Sequence, residues 1–453
     1  MNQTSKSNSG ETLSIYIGTP AVNLAVNTWE LLTLEHGIKP DGTVQSISED
    51  SFSKLKDPSS FFTQTKSGKN VPKALLFDLD PFSLNEVRQG VYRTLFDSEN
   101  LINGKSPATL YSIAYDSGKI YLDKILDKIR KMADNCQNLE SIMIYSSLNG
   151  GTGAGVTSLL LENLADLYER VDKIGVNFYP SKTVGKNHNY MDYNLGYSIL
   201  NVLEFLDVSI ALDNETIYKI CEANFGGSLV YYSSVNRVIS QYISGLTAPN
   251  RLEGALKIGL GDLKDYLIPS PQLKYLVPSF APLTSAEKVY QKENTVYEIT
   301  DSLFSKGFSL IDCEINKSSI IAGNLYYRGD VMPNELAQTL AEFEKTLKFT
   351  PASTRNFNVS LNYFPNTYVP GGDMGRYMRS CCSLINGLEF VKVLGFLKER
   401  YGETLKTNAF QHWLKKYDEN FEFFGGDLNN PLKKLDETID LYEKNETEII
   451  EEI

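Results

Sequence analysis

The sequence predicts an α/β fold: a doubly wound parallel sheet, then a smaller α+β unit, then a closing set of helices. Three observations predict it. Short apolar runs alternate with segments of helical period, the pattern of strand–helix–strand units in a parallel sheet. One strand-to-helix junction, Tyr145-Ser-Ser-Leu-Asn-Gly-Gly-Thr-Gly-Ala-Gly155, is packed with glycine. Late in the chain, residues 318–327 and 356–364 read as strands of more hairpin-like character, so the alternation ends there.

The elements follow in order. Leu13-Ser-Ile-Tyr-Ile-Gly18 is a first strand ending in glycine, and 21–36 has helical spacing with Trp29, Leu32 and Leu34 on its apolar side. Residues 37–70 are polar and read as a long loop. Lys73-Ala-Leu-Leu-Phe-Asp-Leu-Asp80 is a strand ending in two carboxylates two residues apart, hence on one side of the chain, and Pro81 stops it. Residues 120–132 form an amphipathic helix. Ile142-Met-Ile-Tyr145 enters the glycine loop as a buried strand, and Val156, Leu159, Leu160 and Leu164 leave it at helical spacing. Gly175-Val-Asn-Phe-Tyr-Pro180 is a strand, 181–194 a polar loop, and Val208-Ser-Ile-Ala-Leu-Asp-Asn214 a further strand after a helix. Gly226-Gly227 marks a turn before a helix over 230–246, in which Tyr232 and Asn236 lie four apart on one face. Residues 252–267 mix apolar positions with Asp262, Lys264 and Asp265, and 272–280 is a strand. Helices are expected over 383–401 and 430–452, the last with an acidic exposed side that reads either as a solvated face or as a surface suited to basic partners.

Composition narrows the function. With 453 residues the chain holds two or three domains, and 42% hydrophobic with 22% charged residues are globular values. A net charge of −12 without any basic stripe argues against nucleic acid. The five cysteines lack metal spacing and read as free thiols in a reducing compartment, and the three histidines are scattered. No apolar run is long enough to span a membrane. Residues 1–12 are polar, without the apolar core of a leader peptide, and are expected to be a disordered tail on a cytosolic protein.

Strand, glycine loop and helix together make a phosphate cradle: glycine lets an anion approach the backbone, and the helix start offers free N–H groups and partial positive charge. No Gly-Lys-Ser/Thr follows, so it is not a P-loop. Gly151, Gly153 and Gly155 do not have the dinucleotide spacing, which sets aside an oxidoreductase. The carboxyl ends of the strands, at Gly18, Asp78/Asp80, Asn149 to Gly155, Tyr179/Pro180 and Asn214, should gather around one ligand. Asp78 and Asp80 read either as capping aspartates or as carboxylates holding Mg²⁺ through water. Asn236 taken alone is a surface amide, and Asp262 an exposed loop acid.

Ser147-Leu-Asn-Gly-Gly-Thr-Gly-Ala-Gly155 resembles the signature S-x-G-G-G-T-G-[SA]-G of the tubulin superfamily. The resemblance runs from about Ser14 to the end. It continues through Trp29 to Gly42, Asn70 to Pro81, Asp213 to Cys221, Phe280 to Lys288 (the start of the lateral-contact loop) and Phe410-Gln-His-Trp413. Ser285-Ala-Glu-Lys288, Tyr327-Arg-Gly-Asp-Val331 and the insertion Val369-Pro-Gly-Gly-Asp373 resemble the alpha rather than the beta subunit.

This resemblance implies a Rossmann-like GTPase domain over 13–250, an intermediate α+β domain over 251–382 and a helical region over 383–453. It implies that Gly150, Gly151, Thr152 and Gly153 hold the phosphates of GTP or GDP, with Ser147, Gly18, Thr19 and Asn23 nearby. Asp80 would hold Mg²⁺ with Asp78 in support. Asn214 and Asn236 would read guanine, and Tyr232 would stack on it. Asp262 would complete the hydrolysis site of the next subunit by positioning water. The implied partners are a beta-like subunit and further copies in a filament. Departures mark a divergent member: Thr19 stands for glutamine, Asn149 for the first signature glycine, Ser106-Pro-Ala-Thr-Leu-Tyr111 for a loop with paired asparagines, Met191 (with Asp192 adjacent) for the ribose-side glutamate, and Gln291 for a lateral histidine. Two other readings stand beside the heterodimer subunit: a self-polymerising GTPase, and a tubulin-like filament regulator without turnover.

Overall fold

The computed structural model describes residues 10–44, 57–182, 189–225, 230–285, 294–315, 319–350, 356–372, 374–418 and 422–447. The expected turn at Gly226-Gly227, the Ala286 to Lys288 part of the lateral-contact match, Gln291 and Asp373 lie outside the described residues.

The first half is the predicted alternation. β1 (Glu11–Ile17) leads into α1 (Thr19–His36), and the short strands β2 (Phe62–Gln64) and β3 (Asn70–Pro72) form a hairpin within the expected loop. β4 (Ala74–Asp78), α2 (Pro81–Gln89), β5 (Leu101–Asn103), α3 (Tyr111–Asp134), β6 (Leu139–Ser147), α4 (Gly151–Leu167), β7 (Asp172–Phe178), α5 (Asn189–Phe205), β8 (Val208–Leu212), α6 (Asn214–Asn224) and α7 (Tyr232–Arg251) follow. Two bounds move. β1 begins at Glu11, inside the segment read as a tail, because Glu11 pairs beside Leu139 of β6. β4 ends at Asp78, two residues short of the expected Asp80, and Pro81 opens α2, since proline suits the first helical turn.

The second half comprises α8 (Leu263–Leu267), β9 (Tyr275–Ala281), α9 (Val296–Phe304), β10 (Ile320–Gly329), α10 (Pro333–Thr346), β11 (Phe357–Asn362), β12 (Arg379–Gly387), α11 (Phe390–Thr407), α12 (Gln411–Tyr417) and α13 (Asn430–Thr447). The helix expected from Ser383 is therefore corrected. Residues 379–387 are a strand, and the helix starts at Phe390.

Among the described residues one large sheet runs β11-β10-β12-β9-β8-β7-β6-β1-β4-β5. The run from β5 to β9 is parallel, while β12 is antiparallel to β9 and β10. Both faces are covered. Leu76, Met143, Val176 and Ile210 pack with Trp29 of α1, Leu84 of α2, Ile217 of α6 and Val238 of α7. Their strand neighbours Leu75, Ile144 and Ile15 point the other way, onto Ile129 of α3, Leu160 of α4, Leu203 of α5, Leu394 of α11 and Tyr442 of α13. Apolar residues on both sides of each strand explain the continuous apolar runs in the sequence. Each such side chain, fully buried, contributes about 1.5–3 kcal/mol.

Candidate functional site

After β1 the chain adds β4 and β5 on one side, then β6, β7 and β8 on the other. The switch lies between β1 and β6, and the crevice outside their carboxyl ends is where such sheets bind ligands. Gly18 leaves β1 with φ 87°, a backbone region that favours glycine. A Cβ there would lie 3.4 Å from the backbone nitrogen of Gly153, so the exit of β1 rests against the first turn of α4.

The glycine loop is that first turn. Gly150 is the N-cap of α4 and no side chain caps the helix, so its leading N–H groups lack intrahelical partners. A Cβ on Gly151 would come within 2.3 Å of the Ala108 carbonyl oxygen, one on Gly153 within 2.7 Å of the Ser147 oxygen, and one on Gly155 within 2.5 Å of the Tyr111 oxygen. These glycines admit the chain's own backbone. The loop over 106–110 is thereby seated on the start of α4, opposite β1. Ser147 donates its hydroxyl to Asn149 Oδ1 at 2.8 Å, so the residue standing for the first signature glycine ties down its neighbour. Thr152 is 9% exposed.

The carboxylates close the β4 side. Thr19 Oγ1 donates to Asp78 Oδ2 at 2.7 Å, Ser83 Oγ donates to the same oxygen at 2.8 Å, and the Asp80 amide donates to Asp78 Oδ1 at 3.1 Å. Burial raises the Asp78 carboxyl above its usual range, against the lowering effect of these donors, and Asp80 adds to the rise. Asp80 Oδ1 accepts the Phe82 N–H at 3.0 Å and caps α2. Asp80 is thus the helix cap, and Asp78 holds the turn ahead of it. Asp80 is half-buried. Asn23 is exposed one turn into α1.

Asn214 opens α6 behind the Asp213 cap, and its Oδ1 is buried with no hydrogen-bond partner among the described residues. An orphaned buried acceptor costs about 1–3 kcal/mol unless a ligand donor meets it. Tyr232 opens α7 and is 78% exposed, an uncovered ring, while Asn236 follows one turn later. An uncapped helix start among close-packed backbones, an unmet amide oxygen and a bare aromatic ring fit a nucleoside phosphate.

Two expectations separate here. Asp192 does not turn toward the crevice: Arg400 Nε and Thr404 Oγ1 of α11 donate to its carboxylate. Asp262 is not brought to the crevice either. It precedes α8, its Oδ2 accepts the Gly259 N–H at 2.8 Å, and it raises the Glu140 carboxyl together with burial. A Cβ on Gly261 would come within 2.7 Å of Glu140 Cγ. Glu140 is the second residue of β6 and Ser147 the last, so Asp262 and the glycine loop lie toward opposite ends of one strand, roughly 23 Å apart.

Sequence reasoning missed Asn194 and Ser198 of α5, which bond the loops of the cradle. The place of the 106–110 loop was signalled by the resemblance, in which it stands for the loop with paired asparagines. Among the described residues no group of three or more His, Cys, Asp or Glu could hold a metal, and no helix is long and apolar enough to cross a membrane. The family model described as Tubulin/FtsZ family, GTPase domain, matches residues 11–222, and that of the Tubulin C-terminal domain matches residues 271–389.

Proposed function

The chain belongs to the tubulin superfamily and carries its GTP-binding domain, and on that premise we propose that it is the alpha-like half of a heterodimer that assembles head to tail into cytoplasmic, microtubule-like protofilaments. Gly150 to Gly153, Ser147, Gly18, Thr19 and Asn23 bind the phosphates of GTP, Asn214 and Asn236 read guanine, and Tyr232 stacks on it. Mg²⁺, held by Asp80 through water with Asp78 behind, would offset phosphate charge. The observation that carries the reading is the separation along β6. A carboxylate at one end of the strand and the cradle at the other cannot serve one nucleotide, but stacking one subunit on the next puts Asp262 against its neighbour's GTP. There it orients the attacking water and accepts its proton as the γ-phosphoryl bond breaks. A heterologous contact of this kind builds open filaments. The exposed acidic side of α13 suits basic filament-binding proteins.

The test is the nucleotide content and sedimentation of the purified chain, with GTP and Mg²⁺, alone and with a beta-like subunit. Bound guanine nucleotide, and pelleting only in the mixture, is the expected result. Pelleting of the chain alone would replace the heterodimer by a homopolymer. An empty site and no pelleting in either case would replace it by a regulator.

A further inference from the structure

Asn194 sits in α5, carries no nucleotide contact in the reading above, and is fully buried. Among the described residues its side chain bonds only to main-chain atoms of the two loops that frame the cradle. Oδ1 accepts the Tyr111 N–H at 2.8 Å. Nδ2 donates to the Thr109 carbonyl at 2.8 Å and to the Asn149 carbonyl at 3.2 Å. Tyr111 is the first residue of α3, whose N-cap, Leu110, has no capping side chain. Asn194 supplies that cap from another helix, and with its other end grips the residue before Gly150.

One turn along α5, the buried Ser198 donates to the Leu148 carbonyl at 2.7 Å. The loops it spans are already in contact, since the Ala108 oxygen lies where a Cβ of Gly151 would stand. The 106–110 loop holds Pro107, Ala108 and Thr109, with no amide side chain of its own to order it. A carboxamide offers two acceptor lone pairs and two donor hydrogens, and three of these four capacities are spent here on fixing one loop against the other.

We infer that Asn194 is a positioning residue for the phosphate end of the site: it sets the spacing between the 106–110 loop and the start of α4, and so decides how tightly phosphates are held, leaving base recognition unchanged. This rests on the nucleotide reading above. The base-side groups lie on α6 and α7, away from these bonds. Removing the amide therefore separates two affinities that a general loss of stability would lower together.

The experiment measures GTP binding to the full chain directly, and guanosine binding by competition, in wild type and in Asn194→Ala. The expected result is about tenfold or greater weakening for GTP with guanosine changed less than about twofold, the scale of losing charge-adjacent hydrogen-bond support. Equal weakening of both ligands, or no change in either, overturns the inference. Should the alanine variant fail to fold, Asn194→Ser, which leaves room for a bridging water, is judged by the same ratio. Wild-type protein that binds no GTP overturns the parent reading instead, before any variant is compared.

Discussion

Gly150 and Gly151 are adjacent but have different obligations. A Cβ on Gly150 would meet Ser147 at 3.7 Å, an ordinary contact, and its φ of −85° suits any residue. A Cβ on Gly151 would enter the Ala108 carbonyl at 2.3 Å. Gly151→Ala is expected to cost about 1–3 kcal/mol in a urea melt, as overpacking does, while Gly150→Ala stays within about 0.5 kcal/mol. Equal losses would mean that the 106–110 loop does not sit where described. Glu140 makes a second prediction at this scale. Burial, then Asp262 and Asp172, raises its carboxyl in the folded protein. A carboxyl raised on folding favours the fold at low pH and loses that favour as pH rises through its folded value. Glu140→Gln should thus be more stable than wild type at neutral pH, with the difference shrinking as pH falls through the raised folded value and gone once pH reaches the usual glutamate range. Parallel melts from pH 4 to 7.5, roughly bracketing that range, would show it.

Among the elements, α1 and α7 start at the site and end together in a buried ion cluster. Arg251 of α7 and Arg328 of β10 donate to Glu35 at 2.8 and 3.0 Å, and Ser244 donates to it at 2.7 Å. Glu35, Arg251 and Arg328 are each at most 2% exposed. Burial pushes the Glu35 carboxyl up, but Arg328, Arg251 and Ser244 outweigh it and hold it far below the usual carboxylate range. Its contribution is therefore present above the unfolded value and lost only as pH falls through the folded one. Glu35→Gln leaves two buried guanidinium groups without a counter-charge and should cost about 3–5 kcal/mol. A loss below about 1 kcal/mol, the surface-pair scale, would contradict that coupling. The element most misread from sequence was β12. Ser383-Leu-Ile-Asn-Gly387 is too short for its period to distinguish strand from helix, and its partners in β9 and β10 are remote in the chain. α3 started nine residues earlier than its apolar period suggests, because its first buried positions include Ser112, Ala114 and Gly118, small residues that pack on α4.

For the whole molecule, the decisive arrangement is an acid at one end of the sheet and a cradle at the other. Turnover should then depend on assembly. Asp262→Ala is expected to leave GTP binding and the slow turnover of dilute subunits unchanged. Within filaments it should lower turnover by about a hundredfold or more, the usual share of a positioned base. Phosphate release followed above and below the assembly threshold tests this, and equal turnover in mutant and wild-type filaments would remove Asp262 from the reaction.

The sequence by itself determined the alternation of strands and helices, the cradle, and the carboxylates and amides offered as its neighbours. Those are local matters of period, turn chemistry and motif, each readable within about ten residues. Only the tertiary structure decided that Gly151 and Gly153 are held by backbone packing, that Asp192 serves Arg400, that Asn194 caps a helix it does not belong to, and that Asp262 stands at the far end of β6. Each of these is a contact between segments tens to hundreds of residues apart. Such pairings are set by how the whole sheet buries both of its faces, and no short stretch of sequence carries that information.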